Sequence, residues 1–234
     1  MNEVFKFHNN LKRKYINKYA GTNLLDLASG RGGDLLKWRD NPKIKNVVGF
    51  DINEKSVKEA KRRYVTIKIK KGLKAVFYVK DLGKDSVSDI GTFDIITCNF
   101  AFHYFFKSPK TLETILQTIS SSSKKGTIFI ATLFDGNLVP NTIKFDNFEI
   151  KRINPKSKAN YGNEISVYIK DSVLSVPEIE YLVKPSFLVN KLKSINFELV
   201  ETSSFDNFFN KSFNLSDEEK IFSALNRVYV FRKK

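Results

Sequence analysis

The stretch 24-LLDLASGRGGDLLKW-38 decides how the rest of the chain is read. Leu24, Leu25 and Leu27 are apolar and read as a buried strand, with Asp26 near its far end. Gly30, Gly32 and Gly33 then permit a tight turn and a close backbone approach to a ligand. Residues 34–38 take up helical spacing. A strand, a glycine turn and a helix in that order aim backbone N–H groups at whatever sits above the strand's carboxyl end. A second apolar run, 46-NVVGF-50, ends in Asp51, where a carboxylate can accept hydrogen bonds from a ribose diol.

The turn reads A-S-G-R-G-G rather than G-x-G-x-x-G, and an acid, Asp26, stands just before it. That form suits a nucleoside cofactor without a pyrophosphate and points to S-adenosylmethionine. By itself it equally fits a glycine-rich turn in another α/β domain.

The 234 residues are enough for one α/β domain or two small ones, and 41% hydrophobic content supports a core. The single cysteine, Cys98, excludes a disulfide framework and lies in an apolar run, as a small buried hydrophobe does. No signal peptide and no long uncharged apolar run is visible, so a soluble intracellular protein without a membrane partner is expected. The formal net charge of +15 favours a polyanionic partner, nucleic acid first. Part of the lysine excess is also what AT-rich codons produce.

Residues 1–20 form a candidate helix with Phe7, Leu11 and Tyr15 on one face and Lys12, Arg13 and Lys14 elsewhere. Strands are expected at 23–28, 46–51 and 75–80 and, as a continuous apolar run, at 93–99. A helix spans 53–64, and another begins at Pro109 and runs to about residue 120. Ser120 to Ser123 reads as a loop and Lys125-Gly126 as a turn before a strand at 127–133. Alternating strands and helices mean a doubly wound parallel sheet. Residues 135–184 break the rhythm, with extended pieces at 145–150, 165–169 and 173–176, and read as an inserted antiparallel lobe. A helix at 185–195, a strand at 197–203, a helix at 216–225 and a strand at 228–232 close the sheet, the last strand antiparallel. The fold class expected is therefore α/β: a seven-stranded, mostly parallel Rossmann-like sheet of the class I methyltransferase type, in one domain, with helices on both faces and a small insertion after strand 5.

Four separated motifs carry a resemblance. They are 98-CNFAFHYFF-106 after the fourth strand, 7-FHNNLKRKYI-16, 32-GGDLLKW-38 and 180-EYLV-183. Together they resemble the eukaryotic and viral mRNA cap guanine-N7 methyltransferases over nearly the whole length. The resemblance implies an enzyme that transfers a methyl group from S-adenosylmethionine to guanine N7 of a GpppN cap. On the cofactor side it implies Lys12 for the methionine carboxylate, Ala28 and Gly30 for backbone contact, and Asp51 for the ribose hydroxyls. It implies further that Asp81 and Leu82 border the adenine, and that Asn99 and Tyr104 lie near the methionine end.

On the acceptor side, rings above the fourth strand (Phe100, Phe102, His103 and Tyr104) offer stacking surfaces. The resemblance places His103 and Tyr104 against the guanine and Glu180 on its N1–H and N2 amine. It places Asn9 close to the cap, and Arg31, Lys37 and Arg63 against the triphosphate bridge. Lys37 and Arg63 also read as an ordinary solvated charged face.

The sequence departs from the family in four places. Ala28 stands where the family has its first glycine, and Asn99 replaces a glutamine. Asn226, in 225-LNRVYVF-231, replaces a cap-packing tyrosine, unless Tyr229 substitutes. The loop 132-TLFDG-136 lacks a proline found in cellular enzymes and is more like viral versions.

Guanine N7 carries a free lone pair, so no acid–base residue, metal or covalent intermediate is expected. Positioning falls to His103, Tyr104 and Glu180. The implied partner is the capped mRNA 5′ end, with other capping subunits, or a longer polypeptide, supplying the earlier capping steps. Methylation of another RNA or of a small molecule, and an inert RNA-binding or stimulatory subunit of the same fold, are the alternatives. Retention of Lys12, Asp51 and Asp81 argues against the last.

Overall fold

The computed structural model describes residues 2–67, 72–170, 172 and 175–234. Its central sheet has seven strands in the order β10-β11-β5-β4-β1-β2-β3. These are β1 (Asn23–Leu27), β2 (Asn46–Asp51), β3 (Lys74–Val79), β4 (Phe93–Asn99), β5 (Ser123–Phe134), β10 (Phe197–Ser204) and β11 (Asn226–Lys233). β1 pairs in parallel with β2 and β4, β2 with β3, and β4 with β5. β11 lies between β5 and β10, antiparallel to both, which is the expected ending.

The helices are α1 (Asn2–Tyr19), α2 (Leu35–Asp40), α3 (Glu54–Thr66), α4 (Pro109–Ser121), α5 (Pro185–Lys193) and α6 (Asp217–Ala224), with 3-10 turns at Phe102–Lys107 and Phe205–Phe208. Their starts follow from local chemistry. Asn53 caps α3 through Ser56 N, while Ser108 and Ser216 form reciprocal capping boxes at α4 and α6. Pro109 sits where its missing N–H costs nothing. Two apolar clusters fill the sheet's faces. One holds Phe7, Leu11 and Tyr15 of α1 with Leu24 and Trp38; the other holds Leu25, Leu27, Cys98 and α4. Among the described residues no helix is long and apolar enough to cross a membrane.

Three local expectations are corrected. Lys125-Gly126 is no turn before β5; the strand starts at Ser123 and absorbs Gly126 (φ +89°) as an irregularity where the register with β4 slips. Ser120 to Ser123 is no loop, because α4 runs to Ser121 and Ser122 alone links it to the strand. Residues 145–147 form the turn of a hairpin rather than strand, with Phe145 N donating to Phe148 O at 2.9 Å.

The segment after β5 forms a four-stranded antiparallel sheet in the order β6 (Thr142–Lys144), β7 (Phe148–Arg152), β8 (Glu164–Ile169) and β9 (Glu178–Tyr181). In the expected piece 173–176, Val173 and Leu174 lie outside the described residues; the strand found is β9. Phe148, Ile150, Ile165, Val167 and Ile169 bury one face of this sheet in the same core as Leu24 and Trp38. Ile165 is the register partner of Glu180, so strand alternation turns Glu180 inward as well. The sheet's root is tight. A Cβ on Gly136 would meet Val183 O at 2.6 Å, and Asp135, buried, accepts from Arg227 Nε at 2.8 Å.

Candidate functional site

At the carboxyl ends of β1, β4 and β5, α1 lies over a cavity of about 240 Å³. Phe5, His8, Asn9 and Lys12 line it from the helix, their spacing keeping them on one side while Phe7, Leu11 and Tyr15 face the core. Phe100, His103, Tyr104, Glu180 and Asn226 supply other walls. No pattern in the sequence singles out His8. It is buried, stacks on Phe100 (5.2 Å, 16°) and on Phe222 (6.0 Å, 19°), and its Nε2 is 2.9 Å from Ser223 Oγ. Burial, then the Lys12 charge, lowers its pKa to about 3, so the ring is neutral.

On one side of the cavity is the glycine turn. Gly30 (φ +54°) donates its N–H to Asp51 Oδ2 at 2.7 Å, and nothing stands within 4 Å of where its Cβ would be. The space above the turn is open at this position. Asp51 also accepts from Asn53 N at 2.9 Å, so one carboxylate holds both the turn and the start of α3. Asp81 accepts from Gly83 N at 3.0 Å, and Leu82 is buried beneath. Ala28 sits at φ +63°, the left-handed region that an L-residue occupies only at a cost of about 1–2 kcal/mol.

Beneath α1 is a charge hub centred on Asp34. Lys12 Nζ is 2.8 Å and Lys37 Nζ 2.7 Å from its Oδ1, and Asn99 Nδ2 donates to Oδ2 at 3.3 Å. Lys37 is buried, and its ammonium also reaches Asn9 Oδ1 at 2.8 Å. Burial would raise the Asp34 pKa, but the ammoniums of Lys12 and Lys37 overcome this and hold it near 2. Asp26 beside it goes the other way, up to about 8, through burial and then the Asp34 charge, while Thr97 Oγ1 donates to it at 2.6 Å. Lys12 and Lys37 thus share one carboxylate, and Lys12 also lines the cavity.

Opposite the hub, His103 Nε2 lies 3.3 Å from Glu180 Oε2, and both residues are 4% exposed. That contact is off the line a hydrogen bond requires, and both His103 nitrogens are without a hydrogen-bond partner among the described residues. Tyr104 O–H donates to Glu180 Oε1 at a long 3.4 Å, and burial followed by the Glu180 charge raises its pKa. A buried carboxylate and imidazole this poorly satisfied, in an aromatic-lined cavity, are groups for a polar ligand.

The other sequence candidates divide. Asn226 is buried on the cavity wall, its Nδ2 donating to Phe222 O at 3.1 Å. Tyr229 is in the core beside Phe231 and does not substitute for it. Phe102 is likewise fully buried and offers no stacking face, unlike Phe100, whose backbone (φ +55°) turns its ring to the cavity. Arg31 is exposed at the glycine turn. Arg63 is on α3, paired with Glu59 at 2.8 Å, and Lys37 is locked inside the hub rather than on a solvated face.

The profile of the mRNA (guanine-N(7))-methyltransferase domain matches residues 2–233. The chain belongs to the mRNA (guanine-N(7))-methyltransferase family. It is 30% identical over 219 residues to the mRNA cap guanine-N(7) methyltransferase of Cryptococcus neoformans var. neoformans serotype D, a match covering 86% of this chain and 31% of that protein. With the mRNA cap guanine-N(7) methyltransferase of Schizosaccharomyces pombe it shares 28% over 236 residues, 91% of this chain and 64% of that protein. The chain thus spans between about one third and two thirds of these curated relatives. A solved S-adenosylmethionine-dependent methyltransferase from Clostridium acetobutylicum superposes with a TM-score of 0.62 at 16% identity, over 97% of this chain and 91% of that one. The Rossmann-like class I methyltransferase fold is therefore that of this guanine-N7 methyltransferase-family chain.

Within the family assignment, the left-handed φ gives the Ala28 departure a physical meaning. Glycine takes that conformation freely, so Ala28→Gly is expected to stabilise the protein by about 0.5–1 kcal/mol, the relieved strain less glycine's greater chain entropy. For a chain of this size that raises the unfolding midpoint by about 1–4 °C, read by calorimetry. An unchanged or lower midpoint refutes the strain argument. Asn99 is the second departure, and its amide is held between Asp34 and Thr132 Oγ1 (3.2 Å).

Proposed function

We propose that this domain methylates guanine N7 of a GpppN RNA cap, taking the methyl group from S-adenosylmethionine. The observation that carries the proposal is the Glu180–His103 pair, buried and short of hydrogen bonds in an aromatic cavity beside the glycine turn. When bound, S-adenosylmethionine supplies an activated methyl on a sulfonium. Lys12 would hold its carboxylate, Asp51 its ribose hydroxyls, and Asp81 with Leu82 its adenine, while the open backbone at Gly30 and the backbone of Ala28 meet the nucleoside.

Guanine presents N1–H and the N2 amine side by side, two donors that match the two oxygens of Glu180. Methylation leaves positive charge on the base, so this carboxylate is worth more in the transition state than in the ground state. N7 needs no base to free its lone pair. The chain's task is to hold the purine plane between Phe100, His103 and Tyr104, with N7 toward the donor. Asn9 and Asn226 face the same space. Arg31 is the exposed cation of the glycine turn available to the cap phosphates. Lys37, buried in the hub without a face on the cavity, and Arg63, paired with Glu59 on α3, are not assigned to them.

The test is methyl transfer from labelled cofactor to GpppA-capped RNA and to the same RNA uncapped, with the product digested and the methylated atom located by mass spectrometry. Label at guanine N7 of the capped RNA only is the expected result. Label elsewhere, or equal label on uncapped RNA, refutes the assignment.

A further inference from the structure

Outside the cavity one surface has the chemistry of a nucleic-acid track. The 154–163 loop packs on the end of the 3-10 turn Phe102–Lys107, with Gly162 N donating to Phe106 O at 2.9 Å. The loop's Tyr161 meets Phe187 of α5 edge-on at 5.1 Å, and Lys191 places its ammonium 5.9 Å and 5.6 Å from the two ring centroids. Lys184 Nζ donates to Lys158 O and, at 3.2 Å, to Asn160 Oδ1. Lys191 lies over the two rings, Lys184 reaches the loop at Lys158 and Asn160, and Lys107 ends the turn on which the loop packs; among the described residues none of these lysines pairs with a carboxylate. Elsewhere on the surface Lys6, Lys18, Lys124, Lys144 and Lys220 pair with acids, whereas Lys55, Lys58 and Lys61 of α3, like the patch, have no carboxylate partner among the described residues. What sets the patch apart is the aromatic pair beside its ammoniums. Unneutralised ammoniums around aromatic rings are what a single strand uses, phosphates on the cations and bases on the rings.

The patch also adjoins the cavity. Lys107 ends the 3-10 turn that carries His103, a rise of about 8 Å at about 2 Å per residue. Lys184 follows Glu180 by an extended stretch of about 13 Å. We propose that this surface binds the first nucleotides of the RNA chain that continues from the cap. This rests on the cap reading of the cavity. It adds that the RNA body leaves over the 154–163 loop and α5 rather than hanging in solvent.

The experiment uses the unaltered protein and two variants, the double Lys158→Ala/Lys191→Ala and, at a half-buried ring, Tyr161→Ala, with a cooperative melt well above the assay temperature as the folding control. Binding of a 3′-labelled RNA of about ten nucleotides, uncapped and GpppA-capped, is titrated at several salt concentrations, and methylation of the dinucleotide GpppG is measured alongside. Expected is weaker binding of both RNAs by the double variant, with a salt slope lower by about 1.4, about 0.7 for each phosphate no longer neutralised. For Tyr161→Ala a loss of fivefold or more is expected from about 1 kcal/mol or more of stacking. KM for GpppG stays unchanged in both variants. RNA binding equal to that of the unaltered protein, or an equal loss on GpppG, overturns the track. If the unaltered protein does not methylate GpppG while the variants still lose RNA binding, the cap reading fails and the RNA-binding surface stands.

Discussion

Glu180→Gln is expected to lower kcat/KM for a GpppA-capped acceptor by about 10- to 150-fold, the equivalent of one charged hydrogen bond at about 1.5–3 kcal/mol. The glutamine keeps the volume and one acceptor oxygen but turns an NH2 toward guanine donors. It also removes the charge that stabilises the methylated base. Both effects fall on the acceptor, so the dissociation constant of S-adenosylmethionine, read by calorimetry, should move less than twofold. Stability should hold or rise, because Glu180 is 4% exposed and its one hydrogen bond among the described residues is from Tyr104 O–H at 3.4 Å. That combination separates a ligand-binding carboxylate from a structural one. If the midpoint falls by several degrees and turnover falls only in proportion to folded protein, Glu180 is part of the scaffold and the guanine assignment goes. His103→Ala should share the acceptor defect, since its nitrogens have no other protein partner.

Much of this site was legible because strand ends and glycine turns are local signals. Asp51, Gly30 and His103 are each fixed by their position after a short apolar run, and β4 (Phe93–Asn99) was bounded to the residue because its centre, Ile95 to Cys98, is buried on both faces of the sheet. What stayed hidden is long-range. His8 becomes a cavity wall only because Ser223, 215 residues away, and Phe222 come to meet it. Lys37 read as a phosphate-binding cation by resemblance, or else as part of a solvated face. Its burial needs α1 laid across α2, where Asn9 and the Asp34 carboxylate shared with Lys12 receive its ammonium. Tyr229 and Phe102 show the converse. Aromatic residues near the site in sequence point into the core, since alternation along β11 and the turn of the 3-10 segment decide direction, not composition.

The Asp34 hub is where a single change should do the most damage to the fold. Asp34→Ala leaves Lys12 and Lys37, with side chains 14% and 5% exposed, facing each other without their shared carboxylate. Removing one partner of a buried ion pair costs about 3–5 kcal/mol, so the unfolding midpoint should drop by about 6–20 °C. Asn99 would lose its acceptor and Lys12 the carboxylate that ties α1 to α2, while the apolar face of α1 stays packed on the core. The pH dependence has a defined sign. The Asp34 pKa is near 2 in the folded chain, below the ordinary unfolded value of about 3.9. Its contribution is therefore complete above about pH 4 and is lost as pH falls toward 2. Asp26, raised to about 8, opposes this: its protonated form favours folding at low pH, and that advantage fades as pH rises toward 8. Thermal melts of the unaltered protein and of Asp34→Asn across pH 2–5 separate the two. The unaltered protein should lose stability steeply below pH 4, and the variant should start lower and change less. Parallel curves would mean that Asp34 does not hold the two lysines. A variant as stable as the parent at pH 7 would mean that the hub contributes nothing to the seating of α1.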